Sequence, residues 1–269
     1  MSSTADNNLA LFCDFENIAL GVRDAKHAQF DINLVLARLL VKGSIVVKKA
    51  YCDWGRYKEF KAAMHEAAFE LIDIPHVRQS GKNSADIRMV VDALDLCYTK
   101  SHVNTFVVIS GDSDFSPLVS KLRENAKTVI GVGVKNSTSD LLIKNCDEFI
   151  YYDDIAREQG SKEASEKQPV RKRSAKRKPR KAVQKDIRQE GIDLAIETAA
   201  ALNAERGDQE KLWGSMVKQA LKRRQPSFNE GYYEFESFSK LLEEAQARGL
   251  LELELDDRSG GYIIRKVIR

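Results

Sequence analysis

Apolar and polar positions alternate along the first 155 or so residues in two rhythms. Short apolar or β-branched runs, bounded by Gly, Pro, Asp, Asn or Ser, predict strands at Leu9–Asp14, Ser44–Cys52, Glu70–Pro75, Thr105–Ser110, Thr128–Gly133 and Glu148–Tyr152. Between them, Asp31–Leu40, Tyr57–Ala68, Ser84–Ser101, Phe115–Asn125 and Ser139–Asn145 show helical spacing, with Ser84 and Ser139 standing as N-cap residues. Strands alternating with helices predict a doubly wound, mostly parallel α/β sheet. Such sheets place their sites at the carboxyl ends of the strands.

The rhythm stops at about Glu158. From there to Val183 almost no residue can anchor a core, which predicts a disordered linker over 158–183. Past it, helical spacing returns at Ile187–Asn203, Leu212–Arg224 and Phe235–Ala247. Two alternating runs follow, Leu250–Leu255 and Gly261–Val267, around an Asp-Arg-Ser-Gly-Gly turn. Three helices and a hairpin over 184–267 make a second, small α+β domain of winged-helix order.

Charge sharpens this division. The chain of 269 residues nets only +3, yet Arg171, Lys172, Arg173, Lys176, Arg177, Lys178, Arg180 and Lys181 fall within the linker with no acid among them. A one-sign basic run attracts a polyanion, whereas a mixed run would be an inert spacer. The four cysteines are scattered, and neither they nor the four histidines have zinc-ligand spacing. No apolar stretch is long enough for a membrane span, and the N-terminus lacks the pattern of a secretory signal, so a cytoplasmic protein without a membrane partner is expected.

The residues that carry chemistry are aspartates placed where strands stop. Asp14 ends a buried run within Phe12-Cys13-Asp14-Phe15-Glu16-Asn17, and Asp112 and Asp114 follow another within Ser110-Gly111-Asp112-Ser113-Asp114-Phe115. Asp86, in Lys82-Asn83-Ser84-Ala85-Asp86-Ile87, opens a helix whose dipole favours an anion. Converging carboxylates repel one another, and Mg²⁺ or Mn²⁺ relieves that repulsion where only oxygen ligands are present. Such ions activate water and offset charge at an attacked phosphate, and Asn17 is placed to orient water or a phosphate oxygen. Plainer roles remain open: Asp14 as a turn cap, Asp114 as the N-cap of the helix containing Pro117, Lys82 as a solvated lysine. Asp92, six residues past Asp86, falls on another helix face.

Together FCDFEN, KNSAD and VVISGDSDFSPLV resemble the NYN domain family, a branch of the PIN-like nucleases, over residues 8–153. The resemblance implies a PIN-like fold and Mg²⁺- or Mn²⁺-dependent cleavage of RNA. It makes Asp14, Asp86 and Asp112 the metal ligands, with Asn17 and Asp114 in support. Residues 184–267 resemble a LOTUS (OST-HTH) domain, whose members bind RNA or a protein partner. Lys218, Lys222, Arg223 and Arg224 make one helix end basic there and suit phosphate contact, although a helix C-terminus attracts such residues in any case. Trp213, Phe228, Phe235 and Phe238 read as core.

The expectation is therefore a metal-dependent ribonuclease with an accessory RNA-binding domain. A non-catalytic RNA adaptor is the alternative. A haloacid-dehalogenase phosphatase would want a second aspartate where Glu16 stands, and a dinucleotide-binding enzyme would want a glycine-rich turn after Asp14.

Overall fold

The computed structural model describes residues 7–25, 30–75, 84–166, 187–206, 211–256 and 259–268. The chain divides into two compact units, residues 1–162 and 163–269. Among the described residues no helix is long and apolar enough to cross a membrane.

In the first unit, strands β1 (Asn8–Asp14), β2 (Ser44–Cys52), β3 (Glu70–Asp73), β4 (Thr105–Ile109), β5 (Thr128–Gly133) and β6 (Glu148–Tyr151) form one sheet in the order β3-β2-β1-β4-β5-β6. Every pairing in it is parallel. Parallel strands need long crossovers, here the helices α1 (Phe15–Asp24), α2 (Ile32–Leu40), α3 (Lys61–Glu66), α4 (Ser84–Thr99), α5 (Ser116–Glu124) and α6 (Asp140–Asn145). Helix α7 (Tyr152–Glu166) follows the last strand.

Both faces of the sheet are covered, so the central strands are apolar at every position rather than at alternate ones. On one face Leu9, Leu11 and Cys13 pack with Ile18 and Val22 of α1 and with Val35 and Leu39 of α2. On the other, Ala10 and Phe12 meet Met89 and Ala93 of α4, Leu118 and Leu122 of α5, and Leu142 of α6.

Three differences from the sequence pattern have local causes. Helix α1 was not foreseen: it starts directly after β1, capped by Asp14, and contains Gly21, which weakens a helical signal. A Cβ on Gly21 would lie 2.5 Å from Ser137 Oγ, so packing explains that glycine. Residues Ile74, Pro75, Ser110 and Tyr152 fall outside their expected strands. Helix α7 runs on to Glu166, into the stretch expected as disordered linker, with Asp153 and Asp154 in its favourable first turn. The rest of that stretch, including the basic run from Arg171 to Lys181, lies outside the described residues, as does Lys82.

The second unit holds α8 (Ile187–Arg206), β7 (Leu212–Trp213), α9 (Gly214–Arg224), α10 (Phe238–Ala247), β8 (Leu251–Leu255) and β9 (Tyr262–Val267). The strands form an antiparallel sheet in the order β7-β9-β8. Two expected boundaries move. Leu212 and Trp213 pair with Ile264 and Ile263 as a strand instead of opening a helix, and α10 starts after Ser237, whose hydroxyl accepts from the Lys240 amide. Phe228, Phe235 and Phe238 are buried, and Trp213 is half-buried beside Gly261.

Phe12, fully buried on the central strand, stacks on Phe106 with ring centroids 6.0 Å apart. Its replacement by Ala is expected to cost about 3–5 kcal/mol, measured by urea unfolding of the first unit's signal.

Candidate functional site

The strand order reverses between β1 and β4, the place where open α/β sheets form a crevice at their carboxyl ends. Asp14 closes β1, and Ser110-Gly111-Asp112 leave β4 beside it, one step past the Cys13–Ile109 pairing. The sheet register thus brings together acids nearly a hundred residues apart in sequence.

Asp14 is 8% exposed. Its Oδ2 accepts from Ser110 Oγ at 3.0 Å and its Oδ1 from the Asn17 amide at 3.4 Å. Ser110 Oγ also accepts from the Asp112 amide at 3.1 Å, so one hydroxyl links the two acid segments. Asn17 makes the other link: its Oδ1 accepts from the Gly111 amide at 2.8 Å. That contact needs a bare Gly111, because a Cβ there would lie 2.5 Å from the Ser137 carbonyl oxygen. Asn17 therefore ties two loops together, a role its sequence position alone did not show.

Asp112 caps the turn Ser113–Phe115, accepting from the Asp114 amide at 3.0 Å. The N-cap role left open for Asp114 goes unfilled: α5, which contains Pro117, begins without a side-chain cap, and Asp112 caps only the turn before it. Asp114 instead lines a shallow depression of about 470 Å³ with Ser113, Ser116, Pro117, Ser120 and Leu141. Asp86 lies in the first turn of α4.

These acids feel one another. Burial, then the charge of Asp86, pushes the Asp14 carboxyl up to about 7. The Ser110 and Asn17 hydrogen bonds hold it down, and Asp112 adds a smaller upward push. Asp86 is pushed up to about 6 by burial and then by Asp112, Asp114 and Glu16. Glu16, not singled out from sequence, is the fifth acid here. It is paired with Arg56 at 3.3 Å, and its place two residues past Asp14 was the available signal.

Among the described residues, no three His, Cys, Asp or Glu side chains form a group ready to hold a metal ion. The acids are neighbours without closing into a cage, and both Asp14 oxygens already accept hydrogen bonds. Oxygen-only, mutually repelling acids are the ligand type a hard divalent cation takes, with one or two carboxylates and several retained waters.

Asp92 faces β2, apart from this group. Its carboxylate accepts from Tyr51 Oη at 2.9 Å and Arg88 Nε at 3.0 Å, with Lys49 Nζ at 3.7 Å. In the second unit, Lys218 is paired with Glu230 at 2.7 Å and Arg224 with Glu197 at 2.6 Å, while Arg223 is exposed. The four basic residues of that helix end are thus partly neutralised within the unit.

Comparison with known proteins places the site in context. A family model described as the NYN domain matches residues 8–153. An uncharacterized protein of Methanocaldococcus jannaschii is 24% identical over 151 residues, covering 54% of this chain and 58% of that relative's length. A crystal structure of a protein of unknown function from Vibrio parahaemolyticus is similar with a TM-score of 0.51 and 27% identity, covering 58% of this chain and 98% of that one.

The raised carboxyl of Asp14 fixes a sign. The folded state binds its proton more tightly than the unfolded chain, so metal-free protein gains stability as pH falls from about 7 toward the ordinary value of 3.8. In chelator, Asp14→Asn is expected to stabilise the protein at pH 8 by on the order of 1–3 kcal/mol, by less than half as much at about pH 5, and to have little effect at about pH 3.5, as read by thermal melts.

Proposed function

Since this chain belongs to the NYN domain family through residues 8–153, we propose that it is a divalent-metal-dependent ribonuclease that hydrolyses RNA phosphodiester bonds. Family membership supports nuclease-like chemistry with RNA as the substrate class. The observation that supports the finer reading is the convergence of Asp14 and Asp112 at the ends of adjacent strands, linked through Ser110, with Asp86 close enough to raise the Asp14 carboxyl.

In this reading Asp14, Asp86 and Asp112 would hold Mg²⁺ or Mn²⁺, with Asp114, which lines the adjoining depression, in support. When bound, such an ion would lower the pKa of water and offset phosphate charge. The protein's part is positioning. Ser110 and the Asn17–Gly111 link fix the spacing of the two strand-end acids, and the crevice orients a phosphodiester so that water attacks phosphorus as the bridging P–O bond breaks. Lys82 and the run Arg171–Lys181 draw in the polyanion by charge.

The second unit, with three helices against an antiparallel hairpin, supports the reading of a winged-helix LOTUS domain that assists RNA binding or contacts a protein partner. A cytoplasmic location accords with the same reading. A non-catalytic RNA adaptor is favoured by one observation, the open spacing of the acids. Titration calorimetry with Mn²⁺ separates the two: the nuclease binds the ion through Asp14 and Asp112, and the adaptor does not.

Two outcomes test the nuclease. Asp112→Asn is expected to lower single-stranded RNA cleavage with Mg²⁺ or Mn²⁺ by roughly 10²-fold or more, while RNA affinity in chelator is retained; equal cleavage by the variant refutes the assignment. Replacing the eight basic residues of 171–181 with serine is expected to weaken RNA binding at low salt and flatten its salt dependence, with cleavage at saturating RNA unchanged.

A further inference from the structure

Helix α4 is apolar on two faces. Met89, Ala93 and Cys97 are buried against the sheet. Farther round the helix, about 130° from the centre of that face, Ile87, Val91 and Tyr98 are 64%, 55% and 65% exposed, and Leu94, half-buried and also packed against the sheet-side core, completes a line with them. At 100° per residue these four positions fall within a stripe about 60° wide. Isolated exposed apolar residues need no explanation, but an aligned stripe on one helix marks a contact surface.

The spacing of the stripe identifies what covers it. Ile87, Val91, Leu94 and Tyr98 are separated by four, three and four residues, a series that reads the same in both directions. Turned end for end, the stripe matches itself: Ile87 falls opposite Tyr98 and Val91 opposite Leu94. Such alternating three- and four-residue steps are those of helices that interlock along a seam. The flanking charges agree. Arg88 and Asp95 lie on the same side of the stripe, and a twofold axis perpendicular to the helix sets Arg88 of each copy beside Asp95 of the other. Arg88 is 58% exposed, with its Nε on Asp92, and Asp95 is exposed.

We propose that this face of α4 is the contact between two copies of the chain, packed antiparallel about a twofold axis. The contact is isologous, so it closes at a dimer. A seam roughly 16 Å long covers less than the roughly 1,200 Å² of a standard interface, so the association is weak and transient rather than permanent. The inference does not depend on nuclease activity.

Sedimentation equilibrium of the full chain across micromolar concentrations is expected to show a monomer–dimer equilibrium, weakened about tenfold or more by Val91→Lys, with an unchanged circular dichroism spectrum. Ile87→Cys protein mixed with Tyr98→Cys protein under mild oxidation is expected to give a disulfide-linked dimer, and each variant alone to give little. The native cysteines are buried and stay out of this reaction. A monomer at every concentration overturns the proposal. So does stronger linkage of Ile87→Cys to itself than to Tyr98→Cys, which indicates a parallel pair. Unchanged association in Val91→Lys together with weakened RNA binding also overturns it and assigns the face to RNA.

Discussion

Parallel pairing of β1 between β2 and β4 is the constraint on which the first unit rests. It forces each connection to cross back over a face of the sheet, and the helices that do so bury both sides of the central strands. It also means that every strand delivers its following loop to the same edge. Acids placed after β1 and β4 therefore meet there, and α4 begins with Asp86 close enough to join them. The crevice follows from topology; its chemistry follows from which side chains stand at the strand ends.

Holding carboxylates together opposes their own charge. The fold resists that repulsion with uncharged groups: a serine hydroxyl shared between two segments, an asparagine oxygen on a glycine amide, and backbone amides on Asp14 and Asp112. What repulsion remains appears in the elevated carboxyls of Asp14 and Asp86. A divalent cation would relieve it, and this connects the proposed activity to the charge balance of the site as well as to family likeness.

Much of this was legible in the sequence because buried parallel strands write themselves as uninterrupted apolar runs. LALFC, TFVVI and VIGVG could hardly be anything else, and the aspartates closing the first two runs stood out against them. Helix α1 was not legible, since Gly21 reads as a breaker until its packing against Ser137 is seen. Nor were the partners of Ser110 and Asn17, which depend on strand register rather than on local pattern. Asp114 was ambiguous for a different reason: an acid just ahead of a helix with proline in its first turn reads as a cap, whereas that helix begins without a side-chain cap.

Asp92 is the point at which strand β2 grips helix α4, through Tyr51 and Lys49. That grip lies almost two turns down the helix from Asp86. The helix is thus anchored to the sheet at a buried phenol and presents an acid to the crevice from its first turn. The apolar stripe straddles that anchor, with Ile87 and Val91 on the Asp86 side and Leu94 and Tyr98 beyond it, so a partner seated on the stripe would rest on the same helix that carries Asp86.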